Sequence, residues 1–258
     1  MPLIDTHAHL DFDNLQEDFD ELLENASEAG VERMVTIGAS DGLASNYRAL
    51  EIAETHESIR CTAGIHPHDA DMTDAEVVST IRDEFADHDQ VVAIGETGLD
   101  YFYDNADVDN QKASFRAFLE MSEEVDKPVV IHSRDADEDT IELLEETGVT
   151  GGILHCYTGG RWMAEKLFDL DFYISFSGIV TFGDEELREI AADVPDDRIL
   201  FETDSPFLAP EPNRGQTNQP AYVRHIAEFL ADVRDVELDD LADHVWDNAA
   251  RVFDWPAD

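Results

Sequence analysis

The sequence predicts a (β/α)8 TIM barrel, and three observations support this prediction. Short runs rich in apolar and β-branched residues recur along the 258 residues, beginning near Leu3, Arg33, Ile59, Val91, Pro128, Gly151, Phe172 and Ile199. Most of these runs are followed by polar loop residues and then by apolar residues at helical spacing, an alternation typical of parallel sheets. Eight such units in a chain of about 250 residues are what a closed barrel of this class needs.

The helical stretches between the strands follow the same order. Apolar residues recur with helical period in segments 15–29, 43–56, 74–85, 111–125, 140–147, 162–170 and 185–192. Gly30 and Gly148 are expected helix ends. A loop rich in Pro, Gly and Asn, residues 209–220, precedes two more helical stretches at 221–233 and 238–253. Because no linker, repeat array or low-complexity segment interrupts this pattern, we predict one domain over residues 1–258.

The composition is strongly acidic, with 61 Asp and Glu residues against 16 Lys and Arg, a formal net charge of −45. Such a surface repels itself in dilute buffer. In about 1 M salt the screening length falls to about 3 Å, and most of this repulsion disappears. We interpret the composition as an adaptation to a high-salt cytoplasm in a halophile, and an acidic surface made for a basic partner is the alternative.

The location and the thiols are also predicted from the sequence. No segment approaches the length of about 20 apolar residues that a membrane span needs. The first strand begins at Leu3, which leaves no room for a signal peptide, so we expect a cytoplasmic protein with no membrane association and no obligate protein partner. Cys61 and Cys156 each fall inside a predicted strand and are expected to be buried free thiols.

The residues that end the predicted strands indicate function. His7 and His9 are two positions apart on the first strand, so their side chains share one face. Similar residues end five further strands, and the full set is His7 and His9, His66 and His68, Glu96 and Asp100, His132, His155, and Asp204. The carboxyl ends of barrel strands form the face on which barrel enzymes build their sites. We therefore expect these side chains to converge at one mouth of the barrel.

Imidazole and carboxylate ligands together suit divalent ions such as Zn²⁺, Mn²⁺ or Mg²⁺. Five or six converging ligands exceed the three of a mononuclear catalytic zinc, so we predict two divalent metal ions with Glu96 as the bridging carboxylate. Asp204 is predicted as a ligand, a general base or both. Two ions can activate water and stabilise a leaving oxygen of a phosphoester. A structural metal protein is the non-enzymatic alternative, although structural zinc sites are closed and usually rich in cysteine.

Ordered motifs give the chain a resemblance to the TatD-type metal-dependent deoxyribonucleases, a branch of the amidohydrolase-like barrel hydrolases. The resemblance covers nearly the whole chain and rests on segments 4–9, 95–100, 131–136, 154–157, 175–178 and 202–206 and on the loop from Arg214 to Asn218. It implies a barrel of the metallo-dependent hydrolase type and a 3′-end DNA exonuclease. It implies metal ligation by His7, His9, Glu96, His132, His155 and Asp204. It also implies a catalytic set of Glu96, Asp204 and His66, with His66 near the scissile phosphate or an extra ion.

The substrate contacts are expected to be few. The family loop usually reads Arg-Gly-Lys-Arg-Asn-Glu-Pro, whereas residues 214–220 read Arg-Gly-Gln-Thr-Asn-Gln-Pro, which weakens the case for strong nucleic-acid contacts there. We predict contacts from Arg134, Arg214, Asn218 and Tyr101 to DNA or a small phosphoester, with the metals supplying most of the phosphate affinity. Surface ion pairs are the alternative for the arginines, and packing at the barrel rim is the alternative for Tyr101.

A second reaction class stays open at this point. Amidases, lactonases and phosphotriesterases of the same superfamily often bridge their metals with a carboxylated lysine. The three lysines are Lys112, Lys127 and Lys166, and the strand map places none of them at the mouth. A glutamate bridge is therefore favoured, and a hydrolase of a small phosphoester, amide or ester without a nuclease role is the alternative function.

Overall fold

The computed structural model describes residues 2–256 and contains the predicted barrel. One parallel sheet of eight strands follows the order of the chain: β1 Leu3–Ala8, β2 Val31–Thr36, β3 Ile59–Ala63, β4 Val91–Asp100, β5 Val129–Arg134, β6 Gly152–Leu154, β7 Phe172–Phe176 and β8 Ile199–Phe201. Each predicted strand is confirmed. The strands are rich in β-branched and aromatic residues, which fit a pleated surface covered on both faces.

The seam between β1 and β8 joins the two ends of the sheet. An isolated parallel bridge connects Ala8 with Ser205, just beyond the end of β8. The backbone N–H of His9 donates to the carbonyl of Ser205 at 2.8 Å, and the N–H of Asp204 donates to the carbonyl of His7 at 2.9 Å. The hydroxyl of Thr6 donates to the carbonyl of Phe201 at 3.0 Å. The backbone bonds that close the barrel are thus made by residues predicted to bind metal.

The helices pack around the sheet and match most of the predicted stretches. They are α1 Asp13–Gln16, α2 Phe19–Glu28, α3 Gly42–Thr55, α4 Ala75–Ile81, α5 Val108–Val125, α6 Asp137–Thr147, α7 Arg161–Asp169, α8 Ile179–Phe182, α9 Glu185–Asp193, α10 Val223–Arg234 and α11 Leu238–Val252. Short 3-10 helices cover Pro67–Met72 and Pro220–Tyr222, and a π-helical turn, Arg82–Ala86, extends α4. Within residues 2–256, no helix has the length and apolar character needed to cross a membrane.

Three local predictions differ from the structure. The stretch 15–29 is divided into α1 and α2, because Asp18 leaves the helical region with φ −134° and ψ 55°. The short helix α8 was not predicted, since four residues are too few to show a period. Cys156 lies beyond the end of β6 with φ 44° and is partly exposed, whereas Cys61 is buried within β3 as predicted.

The core fills the barrel and the layer between strands and helices. Its largest fully buried rings include Phe85, Phe115, Phe118, Phe172 and Phe176. Each such side chain contributes about 1.5–3 kcal/mol through burial. A rigid core of this size fixes the strand ends, and so it fixes the positions of the polar residues that follow them.

Candidate metal centre

The six predicted metal ligands converge at the carboxyl ends of the strands. The full set is His7, His9, Glu96, His132, His155 and Asp204. His7 belongs to β1, Glu96 to β4 and His132 to β5, whereas the other three residues follow the ends of their strands. All of them are buried except His132, which is partly exposed. Distant segments therefore deliver imidazole nitrogens and carboxylate oxygens to one small volume.

The carboxylate of Glu96 lies at the middle of this group. Its Oε2 atom is 3.5 Å from Nε2 of His7 and 3.7 Å from Nε2 of His9. Its Oε1 atom is 2.7 Å from Nε2 of His155 and 3.0 Å from Nδ1 of His132. Each oxygen of one carboxylate thus faces a different set of imidazoles.

Two further side chains complete the two halves of the centre. Oδ1 of Asp204 lies 3.3 Å from Nε2 of His9 and 3.7 Å from Nε2 of His7, and we call these three residues the first cluster. Nε2 of His66 lies 3.5 Å from Oε1 of Glu96. We call His66, His132 and His155 the second cluster. Glu96 lies between the two clusters and contacts both.

A close approach of two strands positions Glu96. A Cβ atom added to Gly64, just past the end of β3, would lie 2.6 Å from the Cα atom of Gly95. Only glycine leaves room for the backbones to come this close. This contact brings the end of β3, which leads to His66, beside the residue that carries the central carboxylate.

Buried acceptors hold the imidazoles of the second cluster in place. Nδ1 of His155 lies 3.0 Å from Oε1 of Glu202, which also accepts the backbone N–H of Cys156 at 2.8 Å. Nε2 of His132 lies 3.2 Å from Oδ2 of Asp100. Such partners fix the orientation of a ligand imidazole and raise the basicity of its other nitrogen. The nitrogens that face Glu96 are therefore the ones available to a cation.

The first cluster is supported differently. Nδ1 of His9 lies 3.2 Å from the hydroxyl of Ser40. Beneath the cluster, Asp5 is fully buried and accepts hydrogen bonds from the backbone N–H of Thr203 at 2.8 Å and from its hydroxyl at 2.6 Å. Burial raises the pKa of Asp5 to about 7, although the hydrogen bonds from Thr203 oppose this shift. Asp5 thus ties β1 to the segment that carries Asp204.

The electrostatics of the centre divide its residues into two groups. Burial opposes the ionisation of Glu96, but electrostatic interaction with His155 and His66 and the hydrogen bond from His132 outweigh it, so its pKa is well below the ordinary value. Burial also opposes a charge on His155, yet Glu96 and Glu202 raise its pKa well above the ordinary value. Burial lowers the pKa of His66 well below the ordinary value, despite the charge of Glu96. The chain alone therefore favours positive charge next to Glu96.

These residues fit divalent cations. Within the described part of the chain, Oε2 of Glu96 is buried and accepts no hydrogen bond, and Nδ1 of His7 has no partner. A buried carboxylate oxygen without a donor is costly unless a cation compensates it. Imidazole nitrogens and carboxylate oxygens are the donor set that Zn²⁺ and Mn²⁺ accept.

Comparison with known proteins assigns the family. The model of the family described as TatD related DNase matches residues 4–254. The chain belongs to the TatD family.

Relatives across the TatD family cover almost the whole chain. An uncharacterized metal-dependent hydrolase of Bacillus subtilis, YabD, is 41% identical over 97% of this chain and 98% of its own length. YcfH, an uncharacterized metal-dependent hydrolase of Escherichia coli, is 42% identical over 98% of this chain and 96% of its own length. The crystal structure of YJJV, a TatD homolog from Escherichia coli, superposes with a TM-score of 0.92 at 26% identity and covers 98% of both chains.

The arginines predicted to contact substrate have partners within this TatD-family chain. The guanidinium carbon of Arg134 lies 3.9 Å from the ring centre of Phe102 and 4.9 Å from that of Tyr103, near the mouth. Arg214 stacks on Phe182 at 3.7 Å and donates to the carbonyl of Ala209 at 3.0 Å. Both cations are therefore already ordered in the structure, and their contact with a substrate stays a prediction.

The other two predicted contacts are also engaged. The hydroxyl of Tyr101 donates to Oδ2 of Asp139 at 2.6 Å. Asn218 is fully buried, and its side-chain N–H₂ donates to the carbonyls of Thr203 at 2.8 Å and Phe207 at 2.6 Å. Asn218 therefore anchors the loop after β8, and direct contact with a substrate stays a prediction that would require this loop to open.

The lysines lie away from the centre. Lys112 pairs with Asp139 at 2.7 Å, and Lys166 donates to Glu145 at 2.9 Å. Lys127 donates to the backbone carbonyls of His88 and Val91 at the opposite, amino-terminal ends of the strands. This placement leaves Glu96 as the residue positioned between the two clusters.

The sequence reasoning missed the residues that support the ligands. Glu202 and Asp5 were not singled out, although both are fully buried carboxylates within two positions of a predicted ligand. A signal was present for Glu202. It lies two residues before Asp204 in the same motif, and residues two positions apart on an extended segment share one face. The sequence held no comparable signal for Ser40.

Proposed function

We propose that this chain is a metal-dependent phosphodiester hydrolase that uses two divalent ions, Mg²⁺, Mn²⁺ or Zn²⁺, with one ion at each cluster. The observation that supports the proposal is the position of the Glu96 carboxylate, whose two oxygens face different sets of imidazoles. Two such ions can lower the pKa of water and neutralise charge on a phosphoryl group and its leaving oxygen. The relatives named metal-dependent hydrolases support the same class of reaction.

The residues of the chain have distinct roles in this proposal. Glu96 is ionised at neutral pH and would help to hold both ions. Burial opposes the ionisation of Asp204, but the hydrogen bond and charge of His9 outweigh it and lower its pKa. Asp204 is therefore a carboxylate at neutral pH, able to accept a proton from the attacking water at Oδ1 or Oδ2. His66 is neutral because burial lowers its pKa, so its imidazole can hydrogen-bond a phosphoryl oxygen without adding charge.

The proposed substrate is the 3′ end of a DNA strand. Proteins of Rahnella and Erwinia tasmaniensis, 36% and 33% identical, carry the name 3′-5′ ssDNA/RNA exonuclease TatD. We assign Arg134 and Arg214 to phosphate contacts and Tyr101 to a base or sugar contact, with Asn218 supporting the loop. Recognition is local, because only 16 basic residues are available in the whole chain.

A metal-reconstituted assay in molar salt tests the proposal. Single-stranded DNA, duplex DNA, RNA and simple phosphoesters are offered to the wild type and to the variants Glu96→Gln and Asp204→Asn, both nearly isosteric. We expect 3′-end hydrolysis by the wild type and loss of turnover by at least about 10³-fold in either variant, since each removes a metal ligand. Circular dichroism confirms that the fold survives. Full turnover in either variant would show that the assigned roles are wrong.

A small phosphoester, amide or ester is the second candidate substrate class, and an acidic cavity favours it. A cavity of about 430 Å³ beside Tyr101 is lined by Asp135, Asp137, Glu138 and Asp139. These carboxylates repel a long polyanion but leave room for a short or uncharged substrate. Hydrolysis of simple esters or amides without any oligonucleotide cleavage in the same assay would select this class.

We also propose that the protein works in a high-salt cytoplasm, as its net charge of −45 suggests. Repulsion among surface carboxylates weakens as the screening length shrinks to about 3 Å near 1 M salt. The midpoint of thermal unfolding should therefore rise steadily between dilute buffer and molar KCl. A midpoint that stays constant over this range would argue for the alternative, an acidic surface made for a basic partner.

A further inference from the structure

An exposed aromatic ring lies directly against the first cluster. Phe207 is 46% exposed, although it follows the ligand Asp204 by only three residues. Its ring meets that of Phe12 edge to face, with centroids 5.4 Å apart, and it meets the imidazole of His9 at 5.9 Å. Phe12 also contacts His9, at 5.5 Å. We call Phe12 and Phe207 the aromatic platform.

The backbone holds Phe207 in this exposed position at some cost. Asp204, three residues before Phe207, and Leu208, the residue after it, have φ values of 57° and 55°, a region that non-glycine residues rarely adopt. Such strain persists only where the surroundings enforce it, and it is common at ligand-binding sites. Here the enforcing contact is the buried side chain of Asn218, which donates to the carbonyl of Phe207.

The charge of the chain limits how a nucleic acid can be bound. Binding through phosphates depends on Lys and Arg and on counterion release, and it weakens steeply with salt. With 61 acidic against 16 basic residues, this chain gains little from that mechanism. Stacking of bases on aromatic rings does not depend on charge and tolerates any base. An exposed aromatic pair beside the centre supplies this kind of contact.

We propose that the Phe12–Phe207 platform is a nucleobase subsite that stacks the unpaired base of a nucleotide whose phosphate lies at the metal centre. This inference rests on the proposed function and specifies how the substrate is selected. A base inside a duplex is already stacked between its neighbours and paired, so the platform favours single-stranded ends. Phe207 is thus a specificity-determining residue, and Asn218 is the positioning residue that holds it.

Equilibrium binding tests the subsite without relying on turnover. Isothermal titration calorimetry compares 2′-deoxyadenosine 5′-monophosphate with 2-deoxyribose 5-phosphate on the metal-loaded protein in molar salt. We expect the nucleotide to bind about 5- to 100-fold more tightly, the range that base stacking on an aromatic side chain supplies. Phe207→Ala and Phe207→Leu should both abolish this preference and leave the affinity for the sugar phosphate unchanged. Tyr47→Ala is the matched control, since Tyr47 is 47% exposed and lies on α3, away from the centre.

The outcomes separate this inference from the proposed function. Equal affinities of the wild type for the two ligands would overturn the subsite, even if phosphodiester hydrolysis is observed. Loss of the preference in Phe102→Ala instead of the Phe207 variants would also overturn it, because the base would then lie beside Arg134. A retained preference in a protein without phosphodiesterase activity would support base binding and contradict only the proposed reaction.

Discussion

Replacing Glu202 with glutamine removes the charge behind His155 while it keeps the shape of the side chain. Glu202 is fully buried, and its Oε1 atom accepts the backbone N–H of Cys156 at 2.8 Å and lies 3.0 Å from Nδ1 of His155. An amide oxygen can still accept both hydrogen bonds. The substitution therefore tests the charge of this carboxylate rather than its position.

The size of the effect follows from these two contacts. A hydrogen bond to a charged acceptor is worth about 1.5–3 kcal/mol, against about 0.5–1.5 kcal/mol for a neutral one, so the bond to His155 loses about 1–1.5 kcal/mol. Loss of an acceptor behind a ligand histidine typically weakens metal affinity by about 10- to 100-fold. The first argument corresponds to a decrease of about 5- to 13-fold at the second cluster, and the second to a decrease of about 10- to 100-fold. The first cluster should be affected less, because Ser40 is the partner behind His9 and Glu202 acts on His7 only through its charge.

Calorimetric titration of the metal-free variant with Mn²⁺ or Zn²⁺ measures the two proposed binding steps separately. We expect one dissociation constant to rise by about 5- to 100-fold and the other to change by a smaller factor. Asp11→Asn is the control, because Asp11 is also a buried carboxylate but contacts Ser45 and Arg48 rather than an imidazole. If Glu202→Gln leaves both constants unchanged, or shifts both equally, the reasoning about the second cluster is wrong.

Three further predictions concern pH, packing and metal removal. Metal affinity should continue to rise as the pH passes above the ordinary pKa of histidine. Acidic neighbours, acting against burial, raise the pKa values of His9, His132 and His155, and each of these imidazoles must lose its proton to bind a cation. Constant affinity between about pH 6 and 9 in buffered titrations would contradict this prediction. Gly98→Ala should lower the free energy of unfolding, measured in urea, by about 2–4 kcal/mol, since the φ of Gly98 is 139° and a Cβ would lie 2.0 Å from the carbonyl oxygen of His132. Gly148→Ala should lower it by only about 1–2 kcal/mol, because a Cβ there would meet no atom within 4 Å. Removal of metal by a chelator should lower the midpoint of thermal unfolding, because free metal at 100 times its dissociation constant adds about 2.7 kcal/mol to the free energy of unfolding. An unchanged midpoint in differential scanning calorimetry would exclude such a contribution.

The strands and the converging ligands could be predicted because both depend on simple periods. Runs such as 129–134 alternate with helical segments, and the residues that end parallel strands must meet at one rim of a barrel. The break between α1 and α2 could not be predicted in this way. Asp18 lies in a helix-compatible stretch of sequence, yet it adopts φ −134° and ψ 55° between the buried Leu15 and the start of α2.

The supporting residues were harder to predict for a different reason. Asn218 was predicted to contact substrate because it belongs to the loop from Arg214 that carries part of the family resemblance. Its burial and its two donated hydrogen bonds are consequences of how the loop folds back on residues 203–207, which no local period encodes. Cys156 was assigned to a strand that was expected to extend to Tyr157, but β6 ends at Leu154 and Cys156 has a φ of 44°.

The two clusters depend on different parts of the fold. The first cluster lies across the seam, since His7 and His9 belong to β1 and its extension and Asp204 follows β8. The second cluster lies within the continuous sheet, at the ends of β3, β5 and β6, where β3 pairs with β4, β4 with β5 and β5 with β6. A cation at the first cluster would therefore cross-link the closure of the barrel, whereas one at the second would occupy a preformed frame. Glu96 contacts both clusters, so its carboxylate couples the closure of the barrel to the assembly of the centre. A barrel with an open seam could hold the second cluster but could not complete the proposed two-ion site.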